Sequence, residues 1–179
     1  MFDHGHLTTG QTVLVHGAAG GVGSLAVQLA REVGARVIGT GRAGDRDVAL
    51  DLGAHSFLDL EADELPHAGE VDLVFDVIGG DILTRSTELV RPGGTVVTIA
   101  MPPTVQPTNG RAIFFVVEPD RVRLTDLAQR LRAGRLKPIV GAVRPLSETA
   151  SAFARRRRTP GKTIIQVADE EGTQHSSSV

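Results

Sequence analysis

An α/β fold built on a parallel sheet is what this sequence predicts, and three observations predict it. Short apolar runs alternate along the chain with segments of helical periodicity, the runs are apolar at nearly every position, and glycine or proline stands between many of them. Strands covered by helices on both faces read as continuous apolar runs, so the pattern indicates a doubly wound parallel sheet of about six strands. With 179 residues and 41% hydrophobic content, the chain suffices for one domain with a sizeable core and is short for two.

The elements follow in order. Thr12-Val13-Leu14-Val15-His16 is a β-branched run ending in glycines, and Val22, Leu25, Ala26, Leu29, Ala30 and Val33 recur at helical spacing between Gly21 and Val33. Arg36 to Thr40 reads as a second strand, Asp45 to Leu52 as a helix stopped by Gly53, and Ala54 to Leu58 as a third strand. Val71 to Val77, a helix from Asp81 to Val90, and Gly94 to Ala100 repeat the period. Met101 to Gly110 is rich in proline and polar residues and reads as a functional or mobile loop. Ala112 to Val117 is the sixth strand. Asp120 to Ala133 is a helix with Leu124, Leu127, Ala128 and Leu131 on one face and Gly134 as its stop. Ile139 to Val143, a helix from Ser147 to Arg156 and a strand from Thr163 to Val167 complete an ordered unit spanning 1–168. The polar tail at 169–179 is expected to be disordered.

Composition narrows the function. A net charge of −2 gives no electrostatic reason to expect nucleic acid or an anionic membrane, so a small-molecule partner is expected. No stretch approaches the roughly 18 apolar residues of a membrane span, and Met1-Phe2-Asp3-His4 lacks the start of a secretory signal, which makes the cytoplasm the expected location. Absence of cysteine removes disulfides, thiol catalysis and thiolate metal sites. The histidines at 4, 6, 16, 55, 67 and 175 are scattered; only His4 and His6 are neighbours, and no metal site is predicted. Arg155 to Arg158 reads as a solvated helix end.

The segment Gly17-Ala18-Ala19-Gly20-Gly21-Val22-Gly23 follows a strand and opens a helix, the context of a Rossmann-type phosphate-binding turn. A side chain at Gly20 or Gly21 would obstruct a pyrophosphate, whose charge is met by free N–H groups and the helix dipole. Gly23 would let the helix pack tightly on the strand. Ala18 stands where the first glycine of G-x-G-x-x-G would be, and a purely structural tight turn is the alternative reading.

About 20 positions after the turn, an acidic residue would bind the ribose of NAD, whereas an arginine accommodates the 2′-phosphate of NADP. Thr40-Gly41-Arg42 offers no carboxylate, and the planar fork of Arg42 suits a phosphate, which points to NADPH. Asp45 and Asp47 stand close by, and the alternative is a solvated loop arginine.

Four segments in this order resemble the cofactor domain of a medium-chain dehydrogenase/reductase, most of all its zinc-independent quinone oxidoreductase branch. They are Gln11 to Gly23, Val74-Phe75-Asp76-Val77-Ile78-Gly79-Gly80, Arg91-Pro92-Gly93-Gly94 and Gly161-Lys162-Thr163-Ile164-Ile165. The resemblance extends from Phe2 to Val167. It implies that Ala19, Gly20, Gly21 and Val22 face the pyrophosphate, that Thr40, Gly41 and Arg42 meet the adenosine phosphate, and that Val77, Ile78 and Gly79 lie along the path to the nicotinamide. Ala100 and Met101 would border the nicotinamide. Phe115 and Val116, within Phe114 to Val117, would support its carboxamide, and the Ala112–Val117 strand would pair with its counterpart across a homodimer. Any of these apolar residues could equally be core. At Leu60 the sequence departs from the family, where many members carry a tyrosine beside the adenosine.

The resemblance further implies a GroES-like catalytic domain ahead of this one, and Phe2 to Leu7 resembles the end of the helix that joins the two. No catalytic residue is therefore assigned, and Thr163–Val167 is expected to lack its usual strand partner. The function expected is the NADPH-binding domain of an oxidoreductase that passes hydride to a quinone or activated alkene. A noncatalytic NADPH-binding or dimerisation module is the alternative. A methyltransferase is more remote: it shares the Arg91-Pro92-Gly93-Gly94 pattern but wants a carboxylate where Arg42 stands. A short-chain dehydrogenase would need a catalytic tyrosine, which this sequence does not contain, and a P-loop NTPase would need a lysine after its glycines. Asp76 is read as a structural anchor for the loop after its strand.

Overall fold

Six strands form one parallel sheet in the order β3-β2-β1-β4-β5-β6: β1 (Thr12–His16), β2 (Arg36–Gly41), β3 (Ser56–Asp59), β4 (Val71–Asp76), β5 (Val90–Thr98) and β6 (Arg111–Phe114). This is the doubly wound order, with its reversal between β1 and β4. The computed structural model describes residues 1–154 and 161–168; the arginine run at 155–158 and the tail at 169–179 lie outside the described residues.

Alternate strand residues feed two cores. Val13, Val15, Val37, Leu73, Phe75 and Val97 pack on one face against Ala26, Val27 and Ala30 of α2 (Gly23–Glu32) and Ala49 of α3 (Arg46–Asp51). Leu14, Ile38, Val74 and Val96 pack on the other against Leu83 of α4 (Gly80–Ser86) and Leu65. A short helix, α1 (Phe2–Gly5), precedes the sheet. Apolar area leaving water on both faces is the main stabilising contribution, at about 25 cal/mol per Å².

Several expected boundaries move, each for a physical reason. The sixth strand ends at Phe114, because β5 ends at Thr98, Phe114's partner; Phe115, Val116 and Val117 run on beyond the ladder. β5 begins at Val90 rather than Gly94, and Pro92 is tolerated because β6 only joins at Thr95, while the register to β4 shifts between Val71 and Leu73. The expected helix over 81–90 closes as α4 followed by a 3-10 turn at Thr87–Leu89, and that over 45–52 opens with a 3-10 turn at Ala43–Asp45. Asp120 caps α5 (Arg121–Arg132), its carboxylate accepting from Val122 N and Arg123 N, and Gly134 ends it at φ +70°.

The strand expected to stand alone does not. β8 (Lys162–Gln166) pairs in parallel with β7 (Val140–Pro145) in a separate two-stranded sheet, the two being linked through a 3-10 turn at Leu146–Glu148 and α6 (Thr149–Phe153). Gly161 makes this pairing possible: its φ is +93°, and a Cβ there would lie 2.6 Å from Gly141 N. Gln28 of α2 ties the approach to this sheet down at both ends of its amide, accepting from Lys137 N (2.8 Å) and donating to Lys137 O (3.0 Å).

Candidate dinucleotide site

The glycine turn leaves β1 at its carboxyl end and enters α2. Gly17 takes φ +64°, a left-handed conformation that glycine adopts without strain, and its carbonyl accepts from Gly20 N at 2.8 Å. A Cβ on Gly23 would fall 2.1 Å from Gly17 O, so only glycine allows α2 to start so close to the turn. A Cβ on Gly20 would sit 3.0 Å from Gly17 O, and one on Gly21 would meet the Lys162 side chain, Cε at 2.5 Å and Nζ at 3.0 Å. Ala18 is fully buried and donates its N–H to Thr40 O at 2.9 Å, so the position of the missing first glycine is used to join turn to β2. Ala19 is nearly buried, while Gly21 and Val22 are exposed.

At the end of β2, Thr40 is buried and turned inward, Gly41 packs under Asp45 and Phe57, and Arg42 projects into solvent. Arg42 Nε lies 3.5 Å from Glu61 Oε1, with both side chains largely exposed, a pair worth at most about 1 kcal/mol and easily exchanged for a phosphate. Asp45 accepts from Arg42 N at 3.2 Å, using its carboxylate on the backbone rather than on the guanidinium.

Val77, Ile78 and Gly79 follow β4 across the switch point and stand beside the turn: a Cβ on Gly17 would meet Val77 Cγ2 at 3.0 Å. Asp76, fully buried, anchors them. Its carboxylate accepts from Ile78 N and Gly79 N at 3.1 Å and from the Thr98 hydroxyl at 2.7 Å. The anchoring role read from the sequence is thus what the carboxylate performs. Thr98 Oγ1 also accepts from Ala100 N, which fixes the start of the Ala100–Met101 segment, and Met101 covers Gly79. Phe115 and Val116 lie further along the sheet, in a separate cleft with Met1, His4 and Arg123; Phe115 is half-buried against the His4 ring, and Val116 is exposed.

Sequence reasoning missed the support beneath this edge. His16, one of the scattered histidines, is buried at the end of β1 between Thr40 Oγ1 (2.8 Å) and Ser86 Oγ (2.7 Å). The Ser86 hydroxyl donates to Ile82 O at 2.7 Å, so its oxygen accepts from His16 Nε2–H and leaves Nδ1 to accept from Thr40. Burial pushes the imidazole down to about 4, against an opposing pull from Asp76, and this holds it neutral. Its signal, a histidine ending an otherwise apolar strand, is visible only in hindsight.

The five expected groups all lie at the carboxyl ends of parallel strands, and a cavity of about 230 Å³ opens from Ala19, Gly20 and Gly21 toward Asp45 on one side and the β7–β8 sheet on the other. The turn fits a dinucleotide's phosphates: Gly20 and Gly21 line the cavity without side chains of their own, and α2 begins behind them. Arg91-Pro92-Gly93-Gly94 sits at the opposite, amino end of the sheet, where Arg91 pairs with Asp72 at 3.0 Å, and so offers nothing to a methyl donor. Among the described residues no cluster of histidine and carboxylates could hold a metal ion, and no helix is long and apolar enough to cross a membrane.

Comparison with known proteins agrees with this geometry. The sequence model of the family described as zinc-binding dehydrogenase matches residues 21–120. A quinone oxidoreductase from Sus scrofa is 30% identical, the match covering 87% of this chain and 54% of that protein. A 2-methylene-furan-3-one reductase from Solanum lycopersicum is 31% identical over 88% of this chain and 41% of its own length. The solved quinone oxidoreductase of Coxiella burnetii superposes with a TM-score of 0.81 at 26% identity, covering 93% of this chain and 56% of the other. The chain therefore spans about half the length of the relatives it matches.

Proposed function

Because the chain belongs to the zinc-binding dehydrogenase family, within its quinone oxidoreductase-like group, we propose that it binds NADPH and serves the reduction of a carbonyl-conjugated double bond, as in a quinone or enone. A nicotinamide dinucleotide is the cofactor class of these relatives; the phosphorylated form is our reading, and the observation that carries it is Arg42. It is the exposed cation at the end of β2, paired only weakly, where a free carboxylate would be needed to favour NADH. The names of the relatives support the substrate class, since a quinone and a methylene-furanone both conjugate a carbon–carbon double bond to a carbonyl.

When bound, the dihydronicotinamide supplies a hydride. The chain's own residues do the holding. N–H groups around Ala19 to Val22 face the pyrophosphate, Arg42 takes the 2′-phosphate, and Thr40 and Gly41 shape the adenosine end through backbone and packing. Val77, Ile78 and Gly79, rigid on Asp76, form the floor toward Ala100 and Met101, with Phe115 and Val116 at the carboxamide end. Homodimerisation through β6 belongs to the same reading, supported by its place at the sheet edge and by exposed Phe114, Val116 and Val117.

Titrating the chain with NADPH and NADH, followed by nucleotide fluorescence, tests the cofactor. Tighter binding of NADPH is expected, and equal affinities would remove the role given to Arg42. Light scattering tests the dimer, which a monomeric mass at micromolar concentration would rule out. NADPH oxidation in the presence of a quinone tests whether this chain turns over by itself.

A further inference from the structure

We propose that the amino end of the sheet carries a second binding site, a cavity that takes a small oxyanion, the carboxylate or phosphoryl group of a small molecule, between Arg91 and Arg111. The cavity measures about 320 Å³ and is lined by both arginines together with His6, Asp72, Gly94 and Thr95. Parallel strands place it at the edge opposite the glycine turn, so it does not depend on the dinucleotide reading above.

Positive charge is what this cavity has in excess. Asp72 is its sole carboxylate, and both oxygens are engaged: Oδ2 accepts from Thr12 N at 2.6 Å, and Oδ1 pairs with Arg91 Nη1 at 3.0 Å. Two guanidinium groups thus face one carboxylate that is already committed. Arg111 has no carboxylate within ion-pairing distance among the described residues. Its Nε donates to Thr95 Oγ1 at 3.1 Å and its Nη2 to His4 O at 3.2 Å, which leaves Nη1 with no partner among the described residues.

Arg91 is under-used in a different way. Its Nε is buried without a partner, and Nη2 reaches only Glu70 O, at 3.5 Å. Nε and Nη2 form the side-on edge of the fork, which grips two oxygens of a carboxylate or phosphate in parallel. The side chain is 42% exposed, so this edge can turn to a ligand while Asp72 keeps Nη1. Backbone fixes the walls. A Cβ on Gly94 would lie 2.7 Å from Asp72 O, so only glycine lets the strands close here. His6 is the one non-glycine among the described residues in the left-handed region, at φ +51°, held by its N–H on Phe2 O, and it adds an imidazole to the cavity lining.

Inorganic phosphate and malonate, each titrated into the full chain at an ionic strength held constant with sodium chloride, test the site by proton–nitrogen NMR. Saturable shifts are expected at the Gly93, Gly94 and Thr95 amides and at the Nε–H signals of Arg91 and Arg111. Tighter phosphate binding would assign a phosphoryl ligand, and tighter malonate binding a carboxylate. Arg111→Gln should weaken the anion by about ten-fold, and Arg111→Lys should keep part of what is lost. Arg85→Gln removes an exposed arginine outside the cavity and should bind as the parent does, which controls for net charge. The parent titration decides the matter even where a variant fails to fold. No saturable shift with either anion overturns the proposal, as do shifts confined to the Gly17–Gly23 turn or an equal loss in Arg85→Gln and Arg111→Gln.

Discussion

His16 Nδ1 accepts a hydrogen bond from the Thr40 hydroxyl at 2.8 Å, joining the carboxyl ends of β1 and β2 inside the protein, where Ala18 N of the glycine turn also donates to Thr40 O. The bond requires a neutral imidazole, since Nδ1 must keep its lone pair. Below about pH 6.5 the unfolded chain protonates this histidine while the folded one resists until about 4, so stability is lost as pH falls through that window. His16→Gln should flatten this part of the stability profile while costing about 1–3 kcal/mol near neutrality. Urea unfolding of both proteins between pH 4 and 7 measures it; parallel profiles would refute the assignment.

Arg42 and Glu61 make opposite predictions for one ligand. Arg42→Gln should weaken NADPH by about ten-fold or more and leave NADH nearly unchanged, because only the 2′-phosphate is lost as a partner. Glu61→Gln should tighten NADPH modestly, since the guanidinium no longer has a competing carboxylate at 3.5 Å. Equilibrium titrations with both nucleotides separate these effects, and a loss of NADH binding in Arg42→Gln would count against the role.

The carboxylate of Asp76 holds two backbone N–H groups and one hydroxyl. Asp76→Asn replaces one acceptor oxygen by an amide that cannot accept, leaving a buried donor unpaired, at a cost of about 1–3 kcal/mol. Since Val77 to Gly79 lose their anchor, affinity for both dinucleotides should fall together. Thermal unfolding and titration check the pair of outcomes.

Glycines differ by what surrounds them. Gly23→Ala places a methyl 2.1 Å from a backbone carbonyl that cannot swing aside, and should destabilise by about 1–3 kcal/mol. Gly44→Ala meets nothing within 4 Å and should be neutral or stabilising by up to about 1 kcal/mol. Denaturant midpoints of the two variants provide the comparison.

Local pattern made most of the sheet legible. Thr12 to His16 has the predicted bounds, Arg36 to Gly41 differs by one residue, and the cap at Asp120 and stop at Gly134 follow from side-chain and backbone chemistry that neighbours alone dictate. The placement of the candidate site was legible to the same depth, since the glycine turn and Arg42 stand at the ends of two strands. The histidine beneath them was not, because its partners come from β2 and α4, 24 and 70 residues away.

By itself, then, the sequence determined the alternation of strands and helices, the position of the glycine turn and the chemical type of the residue after β2, all of them consequences of periodicity and of what glycine and arginine can do. Tertiary structure decided where β6 stops, that β8 finds a partner in β7, and that Lys162 reaches Gly21 across the chain. The division has one physical cause. Propensity and steric freedom act over a few residues, whereas ladder length, strand partnership and the approach of a distant cation depend on pairing between segments that only the folded chain brings together.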